Sequence, residues 1–159
     1  ATSELTAGST TAPDPIDRVS SGPDFLVVAY PVILSSPPYA HQGSFRNLLG
    51  ESADAARLEE VSTNRQVTKD TPPTFLFHTN ADTGVPPETS VEFYLALRKA
   101  GVAAEMHVFE RGPHGVGHGM TDATLAAWPP LLSNWLRQRG WLTGPPGPAR
   151  GAGGSRRGQ

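Results

Sequence analysis

An aspartate and a histidine in this sequence have types and positions that favour a common chemistry. Asp82 follows the apolar run 75–77 and a short loop, and His114 follows a second apolar segment that ends at Phe109. If both runs are parallel strands, their carboxyl ends meet at the edge where open α/β sheets place active sites. An imidazole acts as a general base near neutral pH, and a carboxylate on its other nitrogen fixes the tautomer. We therefore expect Asp82 and His114 to form a catalytic pair.

Each of these residues also has a simpler explanation, because Asp82 can merely close a turn and His114 can be a solvated loop histidine. His118, four residues further on, is a rival base. The spacing of the two histidines also matches helical zinc sites, but the glycines in and after that interval disfavour a helix. We expect no metal and no cofactor. His41 and His78 are interpreted as structural residues.

The elements that must position the pair alternate between strands and helices. Continuous apolar runs predict strands at Phe25–Tyr30 and 75–77, and residues 106–109, with Met106 and Val108 on one face, predict a third strand. Apolar residues at helical spacing follow Pro86-Pro87 and stop before Gly101, which predicts a helix between the last two strands. Further helices are expected from a cap at Ser44 to Leu49, from Ser52 or Ala53 to about residue 61, and over about 130–139. This order predicts an α/β fold, a parallel sheet of about three strands with flanking helices.

Composition narrows the function classes. A length of 159 residues suits one domain, and a formal net charge of −2 provides no basic field for nucleic acid. Cysteine is absent, which excludes disulfides, thiolate metal sites and cysteine nucleophiles. No apolar run approaches the roughly 18 residues that span a bilayer, and no leader pattern opens the chain. We expect neither a nucleic-acid nor a membrane partner, and the compartment stays open.

Three regions differ in composition. Residues 1–22 are polar and rich in Ser, Thr and Pro, and are expected to form a loop segment. Residues 23–142 hold the predicted strands and helices. Residues 143–159 are dominated by Gly, Pro and Arg, and we expect this tail to be disordered.

Four segments carry a resemblance to a known family: PDFLVVAYPVI, GSFRNLLG, TPPTFLFHTNADTGVPPETSVEFYLALRKAGV and HVFERGPHG. They resemble the C-terminal half of α/β-hydrolase-fold esterases, in the acetyl-esterase or acetyl-xylan-esterase-like branch, some labelled xylanase B-like. That fold uses a triad in the order serine, acid, histidine. The resemblance implies that Asp82 is the acid and His114, directly after Gly112-Pro113, is the base. It implies a carboxylic-ester hydrolase acting on a small, short-acyl ester or an acetylated carbohydrate.

The nucleophile of that triad is not found in this sequence. No Gly-x-Ser-x-Gly pentapeptide occurs in the 159 residues. The resemblance places this elbow before the Phe25–Tyr30 strand, so we expect a missing N-terminal half or a companion chain. Two expectations follow, an unpaired sheet edge at that strand and weak or absent hydrolysis by this chain alone. The alternative is a non-catalytic remnant or partner-dependent module of the same fold.

Overall fold

The computed structural model of the chain describes residues 8–119 and 121–144. The predicted tail lies outside the described residues from position 145 onwards, as do the first seven residues of the predicted polar segment. The chain divides into two compact units, which span residues 1–114 and 115–159.

The first unit is built on a three-stranded sheet. Strand β1 (Leu26–Ala29), strand β2 (Thr74–Thr79) and strand β3 (Ala104–Phe109) lie in the order β1-β2-β3, and both pairings are parallel. The predicted α/β fold with three parallel strands is therefore confirmed. Phe77 is paired with Ala29 on one side and His107 on the other. This register brings the carboxyl ends of all three strands to one edge of the sheet.

The central strand is covered on both faces. All six residues of β2 are buried, which explains its apolar run in place of the alternation of a half-exposed strand. Strand β1 is an edge strand in the described structure, as expected, and its Val27 is 40% exposed. One face of the sheet packs in a cluster whose buried members are Ile33, Leu76, Phe93, Leu97 and Val102.

Three α-helices belong to this unit: α1 (Gln42–Leu49), α2 (Ala55–Val61) and α3 (Glu88–Lys99). Short 3-10 turns are present at Ile16–Arg18 and Thr63–Gln66. The predicted start of α1 at residue 44 is wrong, because His41 is the N-cap and its Nδ1 accepts the Ser44 amide. The predicted start of α2 at Ser52 or Ala53 is too early, because Asp54 caps that helix through the Arg57 amide.

Helix α3 supplies the buried face that covers the sheet, and its end is well defined. Gly101 has a φ of +75°, and its amide donates to the Arg98 carbonyl. The Val102 amide donates to the Leu97 carbonyl. This pair of hydrogen bonds is a Schellman motif, and the accompanying contact is apolar because Leu97 and Val102 share the core cluster. The predicted stop at Gly101 is confirmed.

The second unit contains a 3-10 turn (Leu125–Ala127) that runs into helix α4 (Trp128–Gln138). Its predicted start at residue 130 is two residues too late. Pro129 and Pro130 occupy the first turn, where the missing amide hydrogens have no intrahelical partner to lose. Within residues 8–119 and 121–144, no helix combines the length and the apolar character needed to cross a membrane.

Candidate active site

Asp82 lies in the loop between β2 and α3, and its side chain organises that loop. One carboxylate oxygen, Oδ1, accepts the backbone amides of Gly84 at 2.9 Å and Val85 at 2.8 Å. This local pattern is typical of aspartate, whose short side chain bonds to amides two and three residues on. The side chain of Asp82 is completely buried. The second oxygen, Oδ2, is left for a partner from elsewhere in the chain.

That partner is His114. Its Nδ1 lies 2.7 Å from Asp82 Oδ2, so the structure brings together the two residues predicted from the sequence. An ionised carboxylate can only accept, and Nδ1 therefore donates. The side chain of His114 remains 45% exposed, and no described residue is hydrogen-bonded to its Nε2. The ring thus holds a proton on Nδ1 and leaves Nε2 able to accept another, as a general base requires.

The loop that carries His114 is anchored to the end of β2. The hydroxyl of Thr79, a fully buried residue, donates to the Gly112 carbonyl at 2.8 Å. The Asn80 amide continues the sheet ladder by donating to the Phe109 carbonyl at 2.6 Å. These two contacts hold the chain after β3 beside the chain after β2. The short distance between Asp82 and His114 follows from this parallel geometry.

Tyr30 is the first residue after β1, and it contacts His114 from the end of that strand. Its ring meets the His114 ring edge to face, with centroids 4.9 Å apart, and meets Phe77 at 5.8 Å. Tyr30 has a φ of +41°, a left-handed conformation that is uncommon for a residue other than glycine. Strained backbone of this kind clusters at functional sites.

Burial and hydrogen bonding act on Asp82 in opposite directions. Removal of the carboxyl from water acts to raise the pKa of Asp82. The hydrogen bonds from the Val85 amide, His114 and the Gly84 amide outweigh burial, and their net effect lowers the pKa of Asp82 below its ordinary value. The carboxylate is therefore ionised throughout the neutral range, which suits a group that supports a positive imidazolium.

The remaining histidines are placed differently. His41 caps α1, and His107 Nε2 lies 2.8 Å from Glu105 Oε1. The ring of His118, the rival base, stacks on Trp128 in the second unit, with centroids 6.2 Å apart. His78 is fully buried, and its Nε2 lies 3.3 Å from Asp82 Oδ2. Across the described ranges, no group of three His, Cys, Asp or Glu side chains is arranged to hold a metal ion.

Two shallow cavities, of about 260 and 230 Å³, lie in the first unit. The larger is lined by residues that include Tyr39, Arg65 and Glu92, and the smaller by residues that include Phe45 and Leu58. Neither is lined by Asp82 or His114.

Most of the residues that surround Asp82 and His114 could not be predicted from the sequence. Tyr30 carried one usable signal, because it directly follows an apolar run and so falls at the same sheet edge as the pair. Thr79 and His78 read as ordinary strand residues, and their side-chain contacts depend on loops that fold back from elsewhere.

A model of the prolyl oligopeptidase family matches residues 36–135, more than half of the chain. The chain belongs to the prolyl oligopeptidase family. The matched region contains Asp82, His114, α3 and both strands that carry the pair.

Relatives of this family member include hydrolases that are named for xylan and acetyl esters. The chain is 39% identical over 98 residues to endo-1,4-beta-xylanase B of Butyrivibrio fibrisolvens, a match of 62% of this chain. It is 31% identical over 119 residues to an acetylxylan esterase of Xylanibacter ruminicola, a match of 72% of this chain. Among solved structures, it is similar to the acetyl ester-xyloside bifunctional hydrolase of Caldicellulosiruptor lactoaceticus, with a TM-score of 0.82 and 39% identity over 87% of this chain. The resemblance to α/β-hydrolase esterases of the acetyl-xylan-esterase-like branch is confirmed.

The matches cover only part of each relative. The chain spans 15% of the xylanase, 25% of the acetylxylan esterase and 51% of the solved bifunctional hydrolase.

Proposed function

We propose that this chain supplies the acid and the base of a Ser-Asp-His triad in a carboxylic-ester hydrolase. The observation that carries the proposal is the 2.7 Å contact between His114 Nδ1 and Asp82 Oδ2, with the other carboxylate oxygen fixed by two backbone amides. In this proposal the nucleophilic serine lies outside the 159 residues, in a further segment or on a companion chain.

The proposed reaction follows from the roles of the two nitrogens of His114. Its Nε2 takes the proton of the serine hydroxyl as that oxygen attacks the ester carbonyl, and an acyl-enzyme forms as the alkoxide leaves. The imidazolium then gives the proton to the alkoxide. Asp82 holds Nδ1–H and stabilises the positive ring, because its ionised oxygen lies at hydrogen-bond distance from Nδ1. Water hydrolyses the acyl-enzyme by the same proton transfers.

The substrate class is proposed from the relatives. An acetylxylan esterase and an acetyl ester-xyloside hydrolase support deacetylation of a carbohydrate or hydrolysis of a short-acyl ester. Peptide hydrolysis is the second candidate, and the match to the prolyl oligopeptidase family favours it. Both reactions use the same pair, since both pass through an acyl-serine.

The location of the nucleophile is tested on the purified chain with p-nitrophenyl acetate, a prolyl p-nitroanilide and a serine-reactive phosphonate followed by mass spectrometry. We expect no turnover of either substrate and no labelled serine. Ester turnover that disappears in His114→Ala, together with one labelled serine, would place the nucleophile inside this chain. Turnover that survives in His114→Ala would contradict the role of the base. Turnover of the anilide alone would favour the peptidase.

A further inference from the structure

His78 is a buried histidine with a partner on every polar atom. Its side chain has no solvent exposure. Nε2 lies 2.9 Å from the Val85 carbonyl and 3.3 Å from Asp82 Oδ2, and Nδ1 lies 2.7 Å from Ser90 Oγ. A carbonyl and an ionised carboxylate can only accept, so Nε2 carries the proton. In the neutral ring Nδ1 then accepts the hydroxyl hydrogen of Ser90.

These contacts tie three pieces of structure together. His78 belongs to β2, Val85 and Asp82 lie in the following loop, and Ser90 lies in the first turns of α3. Val85 is held at both of its peptide groups, since its carbonyl accepts from His78 and its amide donates to Asp82 Oδ1. A shift of Val85 would therefore move the hydrogen bond that orients the carboxylate.

The Asp82 carboxylate is surrounded by donors. Oδ1 faces two backbone amides, and Oδ2 faces His114 Nδ1 at 2.7 Å and His78 Nε2 at 3.3 Å. The distance to His78 exceeds the usual length of about 2.9–3.0 Å, so this contact is electrostatic and weaker than the bond to His114. The carboxylate thus accepts three hydrogen bonds, from the Gly84 and Val85 amides and from His114, and has the His78 ring as a fourth neighbour.

We propose that His78 is a positioning residue, which holds Asp82 in the orientation where Oδ2 accepts the proton on His114 Nδ1. This inference rests on the proposed function, because the orientation matters for catalysis only if Asp82 and His114 form the acid–base pair. His78 acts through Asp82 and the Val85 peptide.

Substitutions of His78 separate this role from simple packing. His78→Gln keeps an N–H donor at about the reach of Nε2, whereas His78→Asn ends near the position of Nδ1 and loses the contact with Val85. The matched control is His107→Asn, on the neighbouring strand, because His107 also binds a carboxylate, Glu105, that takes no part in the site.

The readout is the tautomer of each histidine, measured on the full 159-residue chain by imidazole ¹⁵N–¹H correlation spectra at about pH 9, above the usual titration range of histidine. His114 signals are assigned from the His114→Ala spectrum. In the wild type, we expect His114 as the Nδ1–H tautomer and His78 as the Nε2–H tautomer. In His78→Asn, the Nδ1–H population of His114 should fall, by less than the loss seen in Asp82→Asn, because the direct acceptor Oδ2 is still present. His78→Gln should restore it, and His107→Asn should leave it unchanged.

The outcomes distinguish two failures. If Asp82→Asn leaves the His114 tautomer unchanged, the Asp82–His114 pair is refuted and the proposed function fails with it. If Asp82→Asn changes the tautomer but His78→Asn does not, the positioning role alone is overturned. Where His78→Asn does not fold, the wild-type spectrum still decides, because a His78 ring with its proton on Nδ1 contradicts the proposal.

Discussion

Replacement of Asp82 by asparagine should destabilise the protein at neutral pH, and the loss should become smaller in acid. Hydrogen bonds to a charged group contribute about 1.5–3 kcal/mol and neutral ones about 0.5–1.5 kcal/mol, so the two amide bonds to Oδ1 each weaken by about 1 kcal/mol. The bond to His114 changes from a charged to a neutral one, in which the asparagine amide donates to Nδ1; because that ring is 45% exposed, a further loss of about 1 kcal/mol is appropriate. The expected decrease in the free energy of unfolding is about 3 kcal/mol at pH 7.

The pH dependence follows from the lowered pKa of Asp82. A carboxyl whose pKa falls on folding stabilises the folded state fully above the unfolded pKa, about 3.9 for aspartate, and that stabilisation is lost as the pH falls through the lower folded pKa. Asparagine does not titrate. The difference between wild type and Asp82→Asn should therefore be constant from about pH 7 to pH 5 and shrink steadily below about pH 4.

Urea denaturation followed by circular dichroism measures this difference. At an m-value of about 2 kcal/mol/M, the midpoint should fall by about 1.5 M at pH 7. Asp122→Asn is the matched control, because the exposed Asp122 also accepts two backbone amides, from Thr124 and Leu125, but no histidine. Its cost should stay below about 1 kcal/mol. A difference for Asp82→Asn that is equally large at pH 7 and pH 3 would refute this account of the carboxylate.

Two further substitutions test the loop that holds His114 and the glycine-rich segment after it. Thr79→Val removes the hydroxyl that donates to the Gly112 carbonyl and should lower the free energy of unfolding by about 1–2 kcal/mol. Thr79→Ser keeps a hydroxyl and should retain most of the wild-type stability. Equal urea midpoints for the two variants would contradict this explanation. Gly119→Ala should lower the free energy of unfolding by more than about 2 kcal/mol, because φ is +65° and a Cβ would meet Leu125 at 2.6 Å. Gly115→Ala, at a φ of +74° and with no atom within 4 Å of the added Cβ, should lower it by only about 1–2 kcal/mol. Thermal melts that rank the two variants in the opposite order would contradict this.

Much of the fold was predictable because the signals are local. Strand β2 is a continuous apolar run in the sequence since both of its faces are covered, and α3 ends at Gly101 because that residue adopts a positive φ. The juxtaposition of Asp82 and His114 was predictable for a topological reason: residues that follow neighbouring parallel strands meet at one sheet edge.

Other features depend on contacts that no local pattern encodes. Asparagine, aspartate, serine and threonine are the usual N-caps, so a histidine cap at His41 was not expected and the start of α1 was misplaced. The left-handed conformation of Tyr30 is stabilised by surroundings that include Phe77 and His114, which lie far away in sequence. The interpretation of His78 as structural rested on its place in a strand, and its second contact, with Asp82, emerges only when the loop closes over the strand end.

The central claim to test is that His114 acts as the general base. The most direct measurement joins residues 8–144 to the part of the Caldicellulosiruptor lactoaceticus hydrolase outside the matched half, and compares kcat/KM for p-nitrophenyl acetate among variants. We expect His114→Ala to reduce kcat/KM by about 10³-fold or more, Asp82→Asn by a similar order, and His118→Ala by less than about threefold. An active chimera in which His114→Ala retains full activity, or in which His118→Ala loses it instead, would contradict the assignment.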